Sequence, residues 1–112
     1  MPVLCRWSRY LTNDSRYADA AYRSVARLYN ARTPLGLVGK HIHIQSGSWT
    51  EASSGIGYNV DSFYEYLLKS SILFGDPRYK TMFSVMYSAV ENRLRNGDWY
   101  TGPVFPHLIL FA

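Results

Sequence analysis

Two helix-opening tetrapeptides, Asp14-Ser15-Arg16-Tyr17 and Asp76-Pro77-Arg78-Tyr79, stand 62 positions apart in this 112-residue chain. Each puts an aspartate where the first amides of a helix need an acceptor. Pro77 suits the first turn, where a missing N–H costs nothing. At the same offset Ala20 and Ala21 match Met82 and Phe83, Val25 and Leu28 match Tyr87 and Val90, and Leu11 matches Leu73. Each half therefore reads as helix, tight turn, helix. Repeats of this kind bury their faces only by stacking, and about three are usually needed for stability. Two hairpins predict an arc of a larger helical ring, so the chain is expected to be an incomplete domain.

The pattern around the repeat sets the remaining elements. Asn13, Asp14 and Ser15 offer N-caps for a helix to about Ala31, with Tyr17, Ala20, Ala21, Ser24, Val25 and Leu28 on the expected buried face. Thr33-Pro34 ends it. From Leu37 to Thr50 the chain alternates, Val38, Lys40, Ile42 and Ile44 opposing Leu37, His41 and His43, which predicts a short β-hairpin excursion over 37–50. A third helix is expected over 60–74, with Phe63, Tyr66, Leu67, Ser70 and Phe74 inward and Gly75 as its stop. A fourth opens at Asp76, turns Tyr79, Met82, Phe83, Met86, Tyr87 and Val90 inward, and ends at Asn96-Gly97. Residues 98–112 show no period. The fold class read from this is all-α.

Composition excludes some functions. A 47% hydrophobic content excludes wholesale disorder, and 16% aromatic content, with ten tyrosines, suits wet interfaces and clefts as well as cores. The net charge of +4 comes from scattered arginines with no dense basic run, which argues against nucleic acid as a partner. The single cysteine, Cys5, allows no internal disulfide. The N-terminal stretch lacks the apolar core of a secretory signal. The apolar tail from Val104 to Ala112 is too short to span a bilayer, so no membrane span is expected.

The segment richest in chemistry runs from Gly55 to Lys69. A glycine-rich turn leads into a helix that carries Asp61 and Glu65 four residues apart, on one face. Ser62, Phe63, Tyr64 and Tyr66 surround them with hydroxyls and rings, a setting suited to a sugar. From the residues alone, Asp61 reads first as a helix N-cap and Glu65 as an ordinary exposed acid. His41 and His43 share a strand face, but no third ligand accompanies them, which favours a surface role over zinc. Trp49 and Trp99 read as packing anchors before they read as sugar platforms. Met82 and Met86 read as core.

The run Asp61-Ser62-Phe63-Tyr64-Glu65-Tyr66-Leu67-Leu68-Lys69 resembles the class I α-1,2-mannosidase family, most closely its endoplasmic-reticulum degradation-enhancing (EDEM-like) branch. Gly36-Leu37-Val38-Gly39, Ile42-His43-Ile44, Gly47-Ser48-Trp49, Ser54-Gly55-Ile56-Gly57 and Ile72-Leu73-Phe74-Gly75 support the likeness. It covers roughly residues 8–100. The resemblance implies a partial (α/α)7 toroid, with 1–100 a fragment of the catalytic domain and 101–112 a divergent tail. It further implies inverting hydrolysis of α-1,2-linked mannose from N-glycans, which needs a general acid and a base that activates water. Asp61 and Glu65 are the catalytic residues it carries over. Calcium belongs to the complete family domain through a site in segments outside this chain, so none is expected on the chain itself.

High-mannose N-glycans of misfolded glycoproteins, an oxidoreductase or chaperone partner, and an endoplasmic-reticulum location are implied in the same way, as is inactivity of this chain alone. Three departures stand out. Tyr58-Asn59 replaces a usual Ala-Gly, Asn13 stands where glycine is usual, and residues 1–14 lack an expected glutamate. These changes and the exposed aromatics sustain an alternative, a non-catalytic module that recognises mannose or a partner.

Overall fold

The computed structural model describes residues 2–57 and 60–104, the side chains of 2–6 excepted. Four helices, α1 (Pro2–Thr12), α2 (Ser15–Asn30), α3 (Asp61–Phe74) and α4 (Pro77–Arg93), form two packed pairs, α1 with α2 and α3 with α4. α1 also meets α3, so one hairpin stacks on the other. Between α2 and α3 lies an antiparallel ribbon of β1 (His41–Ile42) and β2 (Trp49–Glu51). A second ribbon follows α4, made of β3 (Arg95–Asn96) and β4 (Trp99–Tyr100). The fold is mostly helical with short antiparallel hairpins.

The repeat is physical at its turns. Asn13 and Gly75 occupy the same repeat position, and both adopt the left-handed conformation, at φ 56° and 61°. That conformation explains why glycine suits position 13, since a Cβ there crowds the following carbonyl. Asp14 and Asp76 then cap α2 and α4, accepting from the Arg16 and Arg78 amides at 3.0 and 3.1 Å. In both caps the arginine folds back onto the same carboxylate, Arg16 Nε lying 2.9 Å from Asp14 Oδ2 and Arg78 Nη2 lying 2.9 Å from Asp76 Oδ2.

The repeat does not extend to burial. Tyr79, Met82, Met86 and Val90 are buried on α4, as their spacing predicts. On α2 the buried residues are Ala18, Ala21 and Val25, whereas Tyr17, Ala20 and Ser24 are exposed. The buried stripe of α2 thus keeps Ala21 and Val25 from the face its spacing predicts but is centred to one side of it, taking in Ala18 and leaving out Tyr17, Ala20 and Ser24. Two cores share the work. Val25, Val38, Val60, Leu67, Tyr79, Met82 and Met86 form one. Leu35, Leu37, Val90 and Leu94 form the other, and Tyr64 packs against both.

The link between the helix pairs serves both cores. Leu37 and Val38 are adjacent, yet they enter different clusters. Trp49 anchors the ribbon, its indole N–H donating to the Ala31 carbonyl and its ring lying over Gly39. Ile44, expected on the same side of the ribbon as Val38, is exposed whereas Val38 is buried. Tyr66 and Tyr87 are likewise more exposed than their stripes predict.

The end of α4 also differs from expectation. α4 stops at Arg93, and Gly97-Asp98 forms the two-residue turn of the β3–β4 ribbon, with Gly97 at φ 63°. Gly-Asp between two short strands signals such a hairpin, with glycine supplying the positive φ at the first turn position, while Asn96 lies in β3. Beyond it, Val104 pairs with Ser54 through two backbone hydrogen bonds of 2.8 and 2.9 Å. The expected divergent tail is therefore tied to the rest of the fold at Val104, while residues 105–112 and the departure at Tyr58-Asn59 lie outside the described residues.

Candidate active site

α3 opens differently from the two aspartate-capped helices. Val60 occupies the N-cap position, is buried, and makes no side-chain capping bond. Its amide reaches the Gly57 carbonyl at 3.3 Å, and its own carbonyl accepts from the Phe63 amide at 3.1 Å. The valine trades a capping bond for core packing beside Leu67 and Met82. Asp61 is consequently the first helical residue, not the cap that the residues alone favour. Its carboxylate is exposed at the positive end of the helix dipole, a favourable place for an anion.

The helix period divides the motif. Phe63, Tyr64, Leu67 and Ser70 turn toward the core, Phe63 meeting Tyr64 edge-on at 6.2 Å. Asp61, Ser62, Glu65, Tyr66 and Lys69 face solvent. Phe63 and Tyr64, expected beside the acids, are drawn away because the core requires them. Burial pushes the Tyr64 phenol up to about 12; its hydroxyl lies inside near the Val38 backbone without a well-formed hydrogen bond.

Glu65 is engaged. Its Oε1 accepts from Lys69 Nζ, one turn further on, and that ammonium lies 5.6 Å from the centre of the Tyr66 ring. The hydrogen bond to Glu65 holds the Lys69 ammonium above the usual lysine range. Among the described residues no partner reaches the Asp61 carboxylate. The two acids are thus neighbours on one exposed face, one paired and one open. Sequence reasoning gives Lys69 no role, although a Glu-to-Lys spacing of four signals such a pair.

The other candidates disperse. His41 Nε2 lies 3.5 Å from Glu51 Oε2, and His43 Nδ1 accepts from the Ser46 amide at 3.2 Å. Glu51 also meets Lys40 at 3.4 Å and accepts from the Ser53 hydroxyl, which with these cations holds its carboxyl below the usual range. Trp99 is 81% exposed on the second ribbon. Beside it Glu91 accepts from the Tyr100 hydroxyl and from Arg95 Nη1. Among the described residues no three His, Cys, Asp or Glu side chains gather as metal ligands. No helix among them is long and apolar enough to cross a membrane.

Comparison with known proteins places this arrangement in a class. Residues 8–106 match the profile of glycosyl hydrolase family 47, and the chain belongs to that family of glycoside hydrolases. Alpha-mannosidase I MNS5 of Arabidopsis thaliana is 47% identical over 90 residues, 80% of this chain and 16% of that protein. The human ER degradation-enhancing alpha-mannosidase-like protein 2 is 41% identical, again over 80% of this chain and 16% of its own length. A Saccharomyces cerevisiae ER degradation-enhancing alpha-mannosidase-like protein 1 is 32% identical over 81% of this chain and 11% of its own length. The chain spans less than a fifth of each of these relatives.

Proposed function

We propose that this chain supplies Asp61 and Glu65 to the active site of an inverting α-1,2-mannosidase. The enzyme trims mannose from N-glycans of misfolded glycoproteins in the endoplasmic reticulum. In this reading the two stacked hairpins are one arc of an (α/α)7 toroid, and further acids and the calcium ligands come from other parts of the ring. Asp61 holds or activates the attacking water, and Glu65 supports the charge of the oxocarbenium-like transition state. The observation that carries the reading is the use made of Asp61. A helix-opening aspartate would ordinarily cap, yet Val60 takes that position and leaves Asp61 exposed and unpartnered among the described residues.

Carboxylates one turn apart on a helix are close neighbours, whereas inversion needs a water-sized gap between acid and base. The opposing acid must therefore come from elsewhere in the ring, and this chain alone is expected to be inactive on mannose-rich glycans with calcium. The decisive experiment grafts residues 8–104 into the Arabidopsis relative in place of its matching segment and measures mannose release. Asp61→Asn should abolish release while leaving glycan binding. Full activity of the Asp61→Asn graft would refute the assignment.

A second reading, a non-catalytic mannose-recognising module, is favoured by one observation, the commitment of Glu65 to Lys69. Glycan binding by the graft with no mannose release would select it. The partners implied by resemblance, an oxidoreductase or a chaperone, attach to either reading.

A further inference from the structure

Asp61 and Glu65 carry like charges one turn apart on an exposed face, an arrangement in which each carboxylate repels the other. The structure resolves that conflict on one side only. Glu65 is bonded to Lys69, one turn beyond it, whereas Asp61 lies one turn before it. The Lys69 ammonium also lies within reach of the Tyr66 ring face, so two groups hold it in place. Among the described residues no other cation pairs with Glu65. Glu followed by Lys at this spacing is the stronger of the two orders along a helix.

We infer that Lys69 is a positioning residue: it biases the Glu65 carboxylate toward the following turn, apart from Asp61, and so leaves Asp61 the open acid of the pair among the described residues. The inference rests on the proposed sugar-processing role for its importance and on the ion-pair geometry for its substance. Lys69 thereby governs how the two acids are presented to a sugar. Glu65 offers an acceptor beside an exposed tyrosine ring, and Asp61, without a partner among the described residues, can engage water or a hydroxyl.

The test uses this chain with 13C-labelled glutamate and aspartate, comparing wild type with Lys69→Met, Lys69→Arg and Lys69→Met/Glu65→Gln by NMR. In wild type the Glu65 β-proton couplings should depart from averaged values, biased toward the rotamer that meets Lys69. Lys69→Met should collapse them to averaged values and shift the Asp61 carboxyl resonance. Lys69→Arg should restore the wild-type pattern, and adding Glu65→Gln to Lys69→Met should return the Asp61 resonance. Averaged Glu65 couplings in wild type, or an Asp61 shift that persists in the double variant, would overturn the inference. No sugar is present in these measurements, so they stand apart from the proposed function. Titration with a high-mannose glycan then tests function separately, and Lys69→Met should weaken binding about two-fold, with rescue by arginine.

Discussion

Replacing Asp76 and Asp14 with alanine in turn gives a controlled comparison, because the two caps share one bonding pattern and differ in burial. Each aspartate accepts from the amide two residues on and from the arginine at the same position. The Asp76 side chain is only 6% exposed, against 24% for Asp14, and the Arg78 side chain is 50% exposed, against 88% for Arg16. Arg78 further spreads over the Tyr22 ring at 3.9 Å, and Tyr22 meets Tyr79 edge-on at 6.0 Å, so this cap ties the two hairpins together. Losing an N-cap costs about 1 kcal/mol, and losing a part-buried hydrogen bond to a charged group costs about 1.5–3 kcal/mol. With overlap between these, Asp76→Ala should cost about 2–3 kcal/mol, a fall in Tm of roughly 10–20 °C for a chain of this size. Asp14→Ala should lower Tm by about a third to a half as much, because the cap bond is lost but Arg16 simply returns to water. Urea and thermal unfolding followed by far-UV circular dichroism measure both. Equal losses from the two substitutions would refute the argument that burial, not cap geometry, sets the cost.

Three further outcomes follow from particular contacts. Asn13→Ala should destabilise the chain by about 1 kcal/mol, since alanine tolerates φ 56° less well than asparagine, while Asn13→Gly should be neutral or stabilising in the same assay. Gly39→Ala should cost about 1–3 kcal/mol, because the new Cβ would lie 2.7 Å from the Glu51 carbonyl and 2.8 Å from the Trp49 ring; loss of the downfield Trp49 indole proton signal would accompany it. Tyr64 should make stability fall as pH rises from about 10 to about 12. The unfolded chain releases the phenolic proton over that window while the folded chain retains it, so the contribution is complete below the lower limit and gone above the upper. After a discount for partial exposure the loss is about 1–2 kcal/mol, and Tyr64→Phe should remove that part of the slope.

What the amino-acid pattern discloses is strongest where one residue acts locally. Asp14, Asp76 and Gly75 can each be assigned from turn and cap chemistry, and all three sit as that chemistry requires, whereas Asn13, read among the cap candidates, takes the left-handed turn position instead. Burial on α4 is equally legible, because Tyr79, Met82, Met86 and Val90 face a core from a helix packed on one side. α2 is legible only in part: Ala21 and Val25 fall on the predicted face, but alanines and serine weight its two flanks almost equally and tertiary contact decides that Ala18 is buried in place of Ala20 and Ser24. The β3–β4 ribbon is hidden because Gly97 fits a helix stop after Asn96 as readily as it opens a Gly97-Asp98 hairpin turn. The N-terminus of α3 is hidden for a related reason: an aspartate after a glycine loop signals a cap, and only the burial of Val60 shifts the start by one residue.

That one-residue shift fixes where the acids point. Val60, Phe63, Tyr64 and Leu67 are committed to the core, and they set the rotation of α3 about its axis. With the apolar positions so placed, 61 and 65 fall on the solvent side by geometry alone, and a slip of one residue would turn them by about 100°. Turned inward they would be carboxylates without partners in a low-dielectric interior, a cost the fold has no contacts to offset. The aromatic half of the motif and its acidic half therefore specify a single helix register. A substitution that enlarges or shrinks Leu67 or Phe63 would be expected to disturb Asp61 and Glu65 without touching either.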